Sequence, residues 1–120
     1  MTFAEEYRKR LYKVVEVPSG FKFKIRKLTM KAFSELVKVA PPAKPGEPVD
    51  LAKEDLDTFI EVAHKVLLEC VVEPKLAERP KKDVLSVYEL SAEDQQFLLF
   101  EILKLSGLAE EQLEELERFR

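Results

Sequence analysis

The chain has 120 residues, 46% hydrophobic and 36% charged, which is enough for one core without disulfide or metal staples. Its single cysteine, Cys70, excludes an internal disulfide framework and fits a reducing compartment, and no apolar run approaches the ~20 residues of a membrane span. The net charge of −3 conceals a dipole, because residues 1–50 carry 11 Lys and Arg against 6 Asp and Glu, while residues 51–120 carry 9 against 17. Such a layout suits a partner of mixed charge.

Thr2-Phe3-Ala4-Glu5 has the form of a capping box and opens a predicted helix within residues 1–12, with Phe3, Tyr7 and Leu11 recurring every fourth position. The first residues lack the basic region and apolar stretch of a signal peptide, so a cytoplasmic location is expected. Residues 13–27 change period. Lys13–Val17 and Phe21–Lys27 flank Pro18-Ser19-Gly20, which predicts a β-hairpin. One face of its second strand is Phe21, Phe23 and Ile25; the other is Lys22, Lys24 and Arg26. An isolated hairpin is marginal in water, so the apolar face must lie on helices or another chain.

Thr29 caps a predicted helix over 29–39, with Ala32, Phe33, Leu36 and Val37 inward. Five Pro and Gly residues make 41–49 a surface loop. The strongest helix is predicted over 50–72, where Leu56, Phe59, Ile60, Ala63, Val66, Leu67, Cys70 and Val71 fall in one arc and Pro74 closes the run. A short extended connector follows at 83–88. Ser91-Ala92-Glu93-Asp94 then caps a helix over 91–106, which Gly107 ends. Residues 108–120 predict an acidic C-terminal helix with a thin stripe of Ala109, Leu113 and Leu116, marginal unless docked. The expected fold is a single domain, mainly α, with an N-terminal β-hairpin packed on the helices.

The residues that carry chemistry are sparse. His64 and Cys70 lie six positions apart on one helix and diverge by about 120°, outside mutual hydrogen-bond reach. No second His or Cys completes a zinc site. The paired acids sit in helical first turns or on solvated faces, and the three glycines form no phosphate loop. No enzyme activity, cofactor or metal is expected. The Lys22, Lys24, Arg26 stripe could track phosphates, but the aromatics of that strand face the other way and the chain is acidic, so nucleic acid is disfavoured. In the helix over 91–106, Leu98, Leu99, Ile102, Leu103 and Leu105 form the natural core side. Phe97 and Phe100 fall beside Glu101 and Lys104 on what should be the wet side. This predicts either cover by the C-terminal segment, through Leu113 and Leu116, or an interface with another chain.

Several segments occur in a recognisable order: Val17-Pro18-Ser19-Gly20 leading to Ile25-Arg26; Val71-Val72-Glu73-Pro74-Lys75-Leu76; Leu85-Ser86-Val87-Tyr88-Glu89-Leu90; Ser91-Ala92-Glu93-Asp94; and Ser106-Gly107. Across roughly 13–107 this resembles the tail assembly chaperones of long-tailed phages and prophages. The resemblance is one of pattern and order, and no binding motif transfers residue by residue. It implies a protein of the bacterial host cytoplasm, absent from the mature virion. Such a protein binds the tape measure protein, helps recruit the major tail protein and self-associates. Two alternatives stay open: a small nucleic-acid-associated regulator using the basic strand, and a structural head–tail component.

Overall fold

The computed structural model describes residues 2–39 and 56–107. The Thr2 hydroxyl accepts from the Glu5 amide at 3.2 Å and starts helix α1, Phe3–Leu11. Glu5 and Glu6 occupy its first turn and Arg8, Lys9 and Arg10 its last, each sign at the end that the aligned peptide dipoles favour. The chain passes directly into strand β1, Tyr12–Glu16, which pairs antiparallel with β2, Lys22–Arg26. Pro18-Ser19-Gly20 form the loop between them. The Gly20 amide donates to the Val17 carbonyl at 2.8 Å, and the Val17 amide donates to the Phe21 carbonyl at 2.9 Å. Gly20 has φ +95°, the left-handed conformation that closes a three-residue hairpin loop.

Thr29 accepts from the Ala32 amide and begins helix α2, Met30–Val39, which packs along helix α3, Leu56–Cys70. The helix predicted over 50–72 stops at Cys70. Val71–Glu73 form strand β3, antiparallel to β2, with Val71 opposite Ile25 and Glu73 opposite Lys24 across a bulge. This overturns the mainly α expectation. The domain is α+β, with a three-stranded antiparallel sheet in the order β1-β2-β3. The β-branched Val71 and Val72 leave the helix before Pro74, and Val71 and Glu73 pair with the free edge of the hairpin.

After a bridged segment, one 3-10 turn spans Val87–Glu89, and Ser91 caps helix α4, Ala92–Leu105, by accepting from the Asp94 amide. The core lies where three elements meet. Val15, Phe23 and Ile25 come from the sheet, Val62, Val66, Leu67 and Cys70 from α3, and Leu98 and Ile102 from α4. Phe21 does not join Phe23 and Ile25 inside; it sits beyond the strand and is 68% exposed. On α2, Ala32 is buried and Leu36 and Val37 are half-buried, while Phe33 is exposed, as are Phe59 and Ile60 of α3. The loop at 41–49, the start of the 50–72 helix and the segment 108–120 lie outside the described residues.

Candidate partner-binding surface

The buried polar side chains form a joint, and their chemistry is spent on the backbone around them. Asp94, in the first turn of α4, accepts from the Ser19 hydroxyl at 2.6 Å and the Ser19 amide at 3.2 Å, which pins the hairpin loop to the helix start. Its neighbour Gln95 donates through its amide nitrogen to the Val87 and Leu90 carbonyls at 3.2 and 2.8 Å. That leaves the Gln95 amide oxygen to accept from His64 Nε2 at 2.9 Å, with the Tyr88 ring edge-on to the imidazole. Ser86 and Glu89 close a capping box, and the Ser86 hydroxyl donates to the Glu78 carbonyl at 2.8 Å.

His64 is therefore a joint residue on α3. Cys70 is wholly buried at the other end of that helix, where burial is the main influence pushing its thiol above the ordinary range, against a backbone hydrogen bond at Thr29. Among the described residues no group of three or more His, Cys, Asp or Glu is placed to hold a metal ion, and no helix is long and apolar enough to cross a membrane.

The residues of α4 singled out from the sequence separate. Phe97 is half-buried and packs against the core, so it is not on the wet side, whereas Phe100 stays 38% exposed. Glu101 receives Lys13 of β1 at 3.3 Å, and Lys104 is exposed. Leu113 and Leu116 lie outside the described residues. On the outer face of the sheet, Lys24 and Arg26 stand over the Tyr12 ring, 5.0 and 5.9 Å from its centre. An aromatic thus does share the basic face. It comes from the neighbouring strand, which the reading of β2 alone missed, and it is already in contact with two cations.

A second surface was not anticipated. An open groove of about 760 Å³ runs between α2, α3 and the segment after β3. Leu68, Val71, Val72, Leu76 and Ala77 supply its apolar lining, and Lys31, Glu35, Lys65, Glu69, Lys75 and Glu78 its charges. Lys31 meets Glu69 at 3.2 Å and Lys65 meets Glu35 at 3.5 Å, so ion pairs bridge α2 and α3. Each exposed pair is worth under about 1 kcal/mol, and a partner's charges can replace it cheaply. The signal in the sequence was Val71–Leu76, whose apolar residues continue past the helix end. No known protein family, curated protein or solved structure matches this chain.

Proposed function

We propose that this protein is a tail assembly chaperone of a long-tailed phage or prophage, and that it holds amphipathic helices of the tape measure protein until the tail tube forms around them. The observation that carries the reading is the groove: Leu68, Val71, Val72, Leu76 and Ala77 line it, with three lysines and three glutamates around them. An amphipathic helix presents the matching pattern, an apolar stripe flanked by charges of both signs. Burial of the stripe supplies attraction, and exchange of the weak bridges between α2 and α3 for bridges to the partner keeps the held helix soluble.

The segments behind the resemblance support it in a second way. Val17–Gly20 is far in sequence from the consecutive segments Leu85–Leu90 and Ser91–Asp94, yet Ser19 meets Asp94 beside Val87, Leu90, Ser91 and Gln95 in one joint. These segments have structural partners in the joint, which leaves the groove as the surface for a client.

The test is to look for a long, helix-rich reading frame directly downstream and to co-express its product with this chain. The chaperone reading expects that protein to become soluble and to co-purify with this chain. If it is equally soluble alone and does not co-purify, the reading fails. Salt-sensitive binding of DNA or RNA that disappears on changing Lys22, Lys24 and Arg26 to Ala would favour the regulator instead. Detection of the chain in purified particles would favour the structural component.

A further inference from the structure

Strand β1 is an end strand of the sheet, and among the described residues no strand pairs with its outer edge. The ladder to β2 decides which backbone groups lie there. The Val17 amide donates to the Phe21 carbonyl and the Lys27 amide to the Leu11 carbonyl, both at 2.9 Å. Bonded positions alternate in an antiparallel ladder, so Lys13 and Val15 bond to β2 while Val14 and Glu16 turn their amides and carbonyls outward. Helix α1 does not cover them, since every residue from Phe3 to Arg10 is exposed. Val14 is 61% exposed, and Glu16 is exposed as well.

A bare edge is a template for another strand, and proteins guard such edges with proline, bulges or charge. Strand β1 contains no proline, and its pairing with β2 runs without a shift in register. Lys13, whose charge would guard the edge, is paired with Glu101 at 3.3 Å.

We propose that this edge binds a second copy of itself. Strand β1 of one molecule pairs antiparallel with β1 of another about a two-fold axis at Val14, joining their sheets into one. Val14 then faces Val14, and Tyr12 faces Glu16. The Val14 amide of each copy donates to the Val14 carbonyl of the other, and each Glu16 amide donates to the other copy's Tyr12 carbonyl. The side chains suit this register. Tyr12, Val14 and Glu16 share the outer face of the sheet, where Lys24 and Arg26 stand 5.0 and 5.9 Å from the centre of the Tyr12 ring. Reversing the strand brings the Glu16 carboxylate beside that ring and its two cations, and the two-fold repeats the contact at the far end. Between these contacts the two exposed valines cover each other. The edge is thus its own complement in charge and in apolar surface. No residue of β1 lines the groove, so this inference stands apart from the chaperone reading.

The test follows the association state by sedimentation, and amide hydrogen exchange of the full chain, as protein concentration rises. A dimer is expected to form, and the Val14 and Glu16 amides should gain protection at least about tenfold with it. The Lys13 and Val15 amides, bonded to β2, should be protected throughout. Val14→Lys should leave the chain monomeric at concentrations where the original is a dimer, because two like charges then face each other across the axis. Mixing it with Val14→Glu should restore a mixed dimer. Position 14 is exposed, so neither change should disturb the hairpin. A chain that stays monomeric at every concentration overturns the proposal. So does a dimer whose Val14 and Glu16 amides exchange as in the monomer, or a Val14→Lys chain that dimerises as before. Failure of the mixed pair overturns it too. Protection of Val14 that is independent of concentration also overturns it, by assigning the edge to another part of the same chain.

Discussion

Asp94 binds a loop seventy-five residues away while its own amide is held by Ser91, so one side chain couples the hairpin to the last helix. Asp94→Ala removes two acceptors and leaves the Ser19 amide and hydroxyl to water. It should cost about 1–3 kcal/mol in urea unfolding, and a double-mutant cycle with Ser19→Ala should recover about 1 kcal/mol or more as coupling. Cys70 makes the opposite kind of prediction. Its buried thiol should resist alkylation until the chain unfolds. The folded pKa is raised, so this group's contribution to stability is intact below the unfolded value of about 8.5. It is lost as pH climbs from there toward the folded value, and chemical unfolding at stepped alkaline pH should register the decline. Of these roles, the divergence of His64 and Cys70 was legible from helical spacing. The partnership of Asp94 with Ser19 was not, because an N-terminal acidic residue reads as a dipole partner and nothing local names the loop it will meet.

At the scale of elements, the hairpin was readable because Pro-Ser-Gly is turn chemistry and the flanking residues alternate. Gly20→Ala isolates the backbone part of that chemistry. A Cβ there meets nothing within 4 Å, so the expected loss of about 1 kcal/mol in thermal or urea unfolding comes from the positive φ alone. The third strand was not readable. Three residues are too few for a period-2 signal, and Val71 also completes the apolar arc of α3, so helix and strand compete for it. Pairing with the free edge of β2 decides the contest, and that information is not local. The same non-locality explains Phe97, which helical geometry put outside and which the surrounding packing brings against the core.

For the whole molecule, the division is between a joint that holds the layers and a groove that the proposed function assigns to a partner. The joint draws on α3, α4, the hairpin loop and the 3-10 turn, and its polar atoms are satisfied by one another. The groove lies against α2, α3 and the segment after β3. Phe3 and Tyr7 of α1 are exposed. Under the proposed function, groove residues can vary with the client while the joint stays fixed.

The claim that the groove holds helical clients is tested most directly by titrating a soluble helical fragment of a tape measure protein against three proteins: the original chain, a Val72→Lys, Lys75→Glu variant and a Phe100→Glu variant. Unchanged unfolding midpoints would establish that the fold is kept in both variants. The account predicts that the groove variant weakens binding at least about tenfold, or about 1.4 kcal/mol, and that Phe100→Glu leaves it within about twofold. Equal binding by the groove variant together with loss on Phe100→Glu would contradict it and return the interface to α4.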